Sequence, residues 1–204
     1  MEYKSVVGES FSEKTIEKSR FLTYVAHTEG EDEAKAYLAK VRGEHPLATH
    51  VCFGYIADKI GNEQRFSDDG EPQGTAGLPI LNVIKAQKLF ETTVAVVRYF
   101  GGIKLGAGGL TRAYAGSAAE GCDSAQKRTY TTGVELTLEV DYGEVNAVMR
   151  LLEDEIVLSR DFNASASFTV IVRESDAERF CAKARDYLNG RVKITEGKKY
   201  FYPF

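Results

Sequence analysis

Apolar residues recur along this chain with two periods, and the changes of period divide it into elements. "KSRFLTYVAH" (residues 18–27) carries aromatic and β-branched residues without a breaker, so a strand is expected there. In "EDEAKAYLAKVRGEHP", Ala34, Tyr37, Leu38 and Val41 fall at i, i+3, i+4 and i+7, the spacing of one helix face. Glu31, Asp32 and Glu33 open that helix and Lys40 and Arg42 close it, as the macrodipole prefers; Gly43 and Pro46 end it. "THVCFGYIA" and "QRFS" read as strands joined by the turn "DKIGNE". "DDGEPQGTAGLP" (68–79) is a loop of turn formers, and Pro79 suits the first turn of the helix "PILNVIKAQKLF". The continuous apolar run "TVAVVRYF" predicts a strand covered on both faces. After a run of glycines, "GLTRAYAGSAAEGC" is helical, with Leu110, Tyr114, Ser117 and Cys122 on one side.

"QKRTYTTG" (126–133) has little apolar content and is expected to link two domains, residues 1–130 and 134–204. In the second, "VELTLEV" is a strand. "DYGEVNAVMRLLED" is a helix with Val145, Val148, Met149 and Leu152 inward. "EIVLSRD" and "SASFTVIVR" are strands around a turn at Asn163. "SDAERFCAKARDYLNG" is a helix with a capping box from Ser175 to Glu178 and a terminal Gly190, and "RVKIT" is the last strand. The order βαββαβ is that of a ferredoxin-like sandwich.

Composition narrows the function classes. At 204 residues, 43% hydrophobic and 27% charged, the chain is ordinary globular material. A net charge of −4 predicts no global attraction to nucleic acid, so any such site is a local patch. The opening "MEYKSVVGES" lacks the apolar core of a signal peptide, and no apolar run reaches membrane-spanning length. Cys52, Cys122 and Cys181 are odd in number and form no CxxC pair, which points to a reducing, cytoplasmic setting.

Three segments could carry chemistry. "RYFGGIKLGAGGLTRAYAG" (98–116) holds six glycines among Arg98, Lys104 and Arg112, with no acid. It matches neither GxxxxGK[ST] nor GxGxxG. It does run from a strand into a helix start, where free N–H groups favour an anion and glycine removes the side chain that would block approach. Between Pro72 and Ala119 the one acid is Glu91, against Lys85, Lys88, Arg98, Lys104 and Arg112. The other use of such glycines is close strand–helix packing. "FSDDGEP" crowds Ser67, Asp68, Asp69 and Glu71 around Gly70; the carboxylates could hold a divalent cation or supply a base, or simply build a turn. His50 and Cys52 share a strand face, but no second pair completes a zinc set, and packing is the expectation. No catalytic triad, metal set or cofactor motif is expected.

Together "KSRF", "ATHVC", "FSDDGEPQGTAG" and "VVRYFGGIKLGAGGLTRAY" resemble the signature segments of the IMPACT family, in its bacterial YigZ branch, over nearly the whole chain. The resemblance implies an α+β protein of two domains. The first would be a β-α sandwich like elongation factor G domain IV and the second domain of small-subunit ribosomal protein five. The second would be a ferredoxin-like domain like domain V of the same factor. Eukaryotic relatives carry a further amino-terminal RWD domain and regulate translation through a kinase-activating partner; this chain opens directly on the shared domain. Some bacterial relatives carry a proline-dipeptidase label, for which no ligand set is visible.

Two functional classes follow. One is a non-catalytic protein contacting RNA, the ribosome or another protein of the translation machinery. Its phosphate contacts would be Arg98, Lys104 and Arg112, its backbone donors Gly101, Gly102, Gly106, Gly108 and Gly109, and Tyr99 or Phe100 would stack on a base. The other is a small-molecule or metal-assisted hydrolase with Asp68, Asp69 and Glu71 facing the glycine segment. Geometry separates them: convergent carboxylates favour the enzyme and divergent ones do not. The edge strand of the second domain as a protein-docking site is a third class.

Overall fold

The structure is a computed structural model that describes residues 2–204. It is mixed α and β, with two sheets and two compact units, Tyr3–Thr129 and Tyr130–Phe204 with Glu2.

The first unit runs β1 (Glu2–Val6), β2 (Glu9–Ile16), β3 (Ser19–His27), α1 (Gly30–Glu44), β4 (His50–Ile56), β5 (Gln64–Ser67), α2 (Gly77–Ala86), β6 (Thr92–Tyr99) and α3 (Gly106–Ser124). Its sheet has the order β2-β3-β6-β4-β5, antiparallel throughout. Glu17 and Lys18 close the β2–β3 hairpin with positive φ of 45° and 64°, the geometry of a two-residue turn matched to strand twist. The central strand β6 shows why its sequence is uniformly apolar. Val94 and Val96 pack on one side with Ile80, Ile84, Tyr114 and Ala118 of α2 and α3. Ala95 and Val97 pack on the other with Ala34, Tyr37, Leu38 and Val41 of α1. Helices thus cover both faces, and the residues expected to form α1's inner face are the buried ones. Gly54 belongs to this packing: a Cβ there would meet the Leu81 backbone nitrogen at 2.8 Å.

The second unit contains most of β7 (Lys127–Val140), then α4 (Val145–Leu151), β8 (Ile156–Phe162), β9 (Ala166–Arg173), α5 (Ala177–Tyr187) and β10 (Lys193–Pro203). The ladder runs β8-β9-β7-β10, antiparallel, which with the βαββαβ order is the ferredoxin-like arrangement. Leu136, Leu138, Phe168 and Val170 of the sheet bury against Val148, Phe180 and Ala184 of the helices.

Three local expectations are corrected. Residues 127–133 are strand, not linker, because Tyr130–Gly133 pair with Tyr200–Pro203 of a β10 longer than "RVKIT". The Ser175–Glu178 capping box does not form: a 3-10 turn occupies Glu174–Asp176 and α5 starts at Ala177 without a side-chain cap. Met149 points outward, since a 3-10 turn at Tyr142–Glu144 delays α4 and leaves Val148, Leu151 and Leu152 to fill the core. Strands β1 and β2 carried no usable alternation. β2 is an exposed-to-half-buried strand at the sheet edge, and β1 is held by Lys4, whose carbonyl accepts from Phe90 N–H, and by Val7 N–H donating to the Gln126 carbonyl.

Residues 1–131 contain both hydrophobic clusters of the first unit in full. That fragment is expected to fold alone, with a cooperative thermal transition followed by circular dichroism; a fragment without one would show that its core is incomplete.

Candidate nucleic-acid interface

The loop after β5 is built by its own carboxylates. Asp68 accepts the backbone N–H groups of Gly74 (2.8 Å), Ala76 (3.0 Å) and Gly77 (2.8 Å), so it caps the start of α2 from a distance in sequence. Burial alone would raise its pKa, but these three donors outweigh it and hold the carboxyl below its usual value. Asp69 accepts Val51 N–H at 2.7 Å and pairs with Arg42 at 2.9 Å. The Ser67 hydroxyl accepts Asp69 N–H at 3.2 Å. Gly77 is required because a Cβ there would meet the Ser67 backbone at 2.6 Å.

Glu71 turns inward. Its carboxylate accepts from Arg98 Nη1 at 2.6 Å and from the Tyr114 hydroxyl at 2.8 Å, with His50 Nε2 at 3.8 Å. Arg98 is 5% exposed; its Nη2 donates to Ser19 Oγ at 3.2 Å, and its guanidinium lies over the rings of Phe21 and Phe100. His50 Nδ1 faces the Asp69 carbonyl at 2.8 Å, and a carbonyl only accepts, so Nδ1 carries the proton. Cys52 donates to the Asp68 carbonyl at 2.9 Å, and burial pushes its thiol up to about 12, so no thiolate forms near neutral pH.

Arg98 is therefore corrected from a surface phosphate contact to the buried partner of Glu71. Asp68, Asp69 and Glu71 point to three separate sets of partners and do not bring their oxygens together as a metal-ligand set. The hydrolase reading has no free carboxylate in this loop. The spacing of His50 and Cys52 made the shared face legible; the convergence of Ser19, Glu71, Arg98 and Tyr114 had no signal, because their partners lie 27 to 79 positions apart.

The glycines divide by role. Gly101 is a packing glycine: a Cβ there would overlap the backbone of Lys18, and its N–H donates to Ser19 Oγ at 3.2 Å. Gly102 and Gly106 have positive φ, 87° and 69°, which turn the chain into α3. Gly108 is exposed, with only the tip of Arg112 within reach of an added Cβ, and Gly109 would touch Leu105. The first turn of α3 has no side-chain cap and no acid. Lys104 and Arg112 are exposed and neither joins an ion pair among the described residues. They line a pocket of about 410 Å³ with Ile103, Gly109 and, on the acidic side, Glu17. Phe100 is 47% exposed, while Tyr99 is half-buried with its hydroxyl 2.8 Å from His45 Nδ1. Phe100 is thus the aromatic with a free face.

A unit of this fold, with a buried Glu–Arg centre and an open glycine-rich helix start, has recognisable relatives. The family model described as Impact N-terminal domain matches residues 17–122. An IMPACT family member of Haemophilus influenzae is 39% identical over 186 residues, 89% of this chain and 90% of its own. IMPACT family member YigZ of Escherichia coli is 38% identical over 183 residues, covering 88% and 90%. A solved structure described as that of a hypothetical protein superposes with a TM-score of 0.62 at 33% identity, covering 97% of this chain and 98% of its own. The chain belongs to the IMPACT family.

Arg98→Met leaves Glu71 buried without its guanidinium and is expected to cost about 3–5 kcal/mol by denaturant titration. Adding Glu71→Leu should recover part of that loss, and a strictly additive pair would deny the coupling. Asp68→Asn is expected to lower the melting temperature at neutral pH. Because the folded pKa is depressed, that contribution exists above the unfolded value and fades as pH falls through the folded one, so variant and parent should converge in acid.

Proposed function

We propose that this chain is a non-catalytic RNA-binding protein linked to translation control, with the start of α3 as its phosphate site. The observation that carries this reading is the uncapped, acid-free first turn of α3 standing between two exposed cations that have no ion-pair partner among the described residues. Gly106 and Gly108 leave the backbone donors open, Lys104 and Arg112 supply charge, and Phe100 offers a stacking face. The patch works despite the acidic total because salt limits the reach of distant charges to about 8–10 Å. The family resemblance to translation-factor domains supports RNA or the ribosome as the partner, although fold likeness alone assigns no activity.

Lys104→Ala and Arg112→Ala test this in a titration against single-stranded RNA over a salt series. Each should weaken binding and flatten the slope of log affinity against log salt by about 0.7, with an unchanged melting temperature. Glu17→Gln removes the acid beside the cations and should tighten binding. Gly108→Val should keep the fold, since space surrounds the site, yet block close approach. Unchanged affinity and slope in both cation variants would reduce the segment to a strand–helix connection.

A further inference from the structure

The β2–β3 hairpin brings an acid to the start of α3. Gly101 lies so close to that hairpin that a Cβ there would overlap the Lys18 backbone, so the glycine segment passes directly against the turn. Between them opens the pocket of about 410 Å³. Its walls are apolar: Ile16 and Leu105 are half-buried against the core under α2 and α3, and Ile103 is 37% exposed. Gly109 leaves the wall of α3 bare, where a Cβ would already touch Leu105. Lys104 and Arg112 supply positive charge, and Glu17 supplies a lone carboxylate.

Glu17 is out of place in both of its settings. It is the first residue of a two-residue turn, at a φ of 45°, where asparagine or glycine fits better. It also stands beside the two cations that would hold phosphate, where a carboxylate repels the ligand. No neighbour requires it, since its side chain makes no hydrogen bond or ion pair among the described residues. An ionised carboxylate only accepts hydrogen bonds, so it selects groups that donate them.

Single-stranded RNA is read through unstacked bases, whose faces rest on protein side chains and whose edges form hydrogen bonds. Among the four bases, guanine alone sets two donors side by side on its pairing edge, N1–H and the N2 amino group. Uracil has one donor flanked by two carbonyl oxygens, and adenine and cytosine each have an amino group beside a ring nitrogen acceptor. A carboxylate accepts both guanine donors in parallel and is repelled by the lone pairs on the other edges. The pocket's volume lies at the small end of the range for ligand sites, about 300–1,000 Å³, which suits one base rather than a stack of them.

We propose that this pocket takes one unstacked guanine of single-stranded RNA, with Glu17 accepting from its N1–H and N2 amino group while Lys104 and Arg112 hold the flanking phosphates. The proposal rests on the RNA reading above and adds base choice to a phosphate contact that is indifferent to sequence. Glu17 lowers general affinity for the strand and in return discriminates among bases.

The test is a fluorescence anisotropy titration of the full chain with a labelled oligouridine, with the same strand carrying one central guanosine, and with inosine at that position, which lacks the N2 amino group. Guanosine should tighten binding about tenfold over uridine, and inosine should lose most of that gain. Glu17→Asn puts a shorter, uncharged side chain at a turn position that favours it, so the melting temperature should not fall. The guanosine preference should vanish in that variant, while the plain oligouridine binds more tightly because only repulsion is removed. Free guanosine monophosphate, with a single phosphate, should compete only at far higher concentration; equal potency would overturn RNA as the source of the base. Equal affinity for the guanosine and uridine strands, or a preference that survives in Glu17→Asn, would sink the base pocket and leave the phosphate site standing. Absence of binding to every strand would sink both.

Discussion

The ion pair between Glu71 and Arg98 sets the terms for the first unit. Two charges removed from water are tolerable only when each meets a counter-charge and further hydrogen bonds, and that demand fixes four segments at once. Arg98 comes from the central strand, Glu71 from the loop after β5, Tyr114 from α3 and Ser19 from the start of β3. Ser19 then holds Gly101 by its N–H, which aims the chain toward the start of α3. The exposed end of that helix is therefore positioned by a centre that is itself buried. The segments that carry the family resemblance also supply these partners, so a shared motif marks an architectural core as much as a binding surface.

The glycine segment shows how one sequence run divides its work. Its first glycine lets two backbones meet, the next turns set the direction, and Gly108 faces open space. Arg98 and Arg112 looked equivalent as cations and are opposites in the fold, one sealed between aromatic rings and one free at the surface. Strand alternation decides the difference, since β6 has no solvent-facing side on which Arg98 could emerge.

Much of the architecture was legible because periodicity and burial obey the same geometry. α1's inner face, the doubly covered β6 and the βαββαβ order all follow from residue spacing. The strand at 127–133 was not legible, because its threonines and tyrosine look polar until β10 pairs with them. The loop acids are open in sequence between a turn, a cation site and a base, and only the fold reveals that Asp68 caps α2 and Glu71 neutralises Arg98. The approach of His27 to Glu91, 4.0 Å apart, escapes any local spacing rule, because the pairing of β3 with β6 joins positions 64 residues apart.

The long β10 also governs the order in which the second unit can mature. Its partner strand β7 is made some sixty residues earlier, and β10 pairs with it from Tyr130 to Glu139. During synthesis that stretch of β7 has to wait, with unmatched N–H and C=O groups along the edge that β10 will occupy. The first unit's helices and sheet are complete before β8 is made. The carboxy-terminal strand is thus the closing step of the second unit, and a nascent chain lacking it would expose an edge able to recruit a foreign strand.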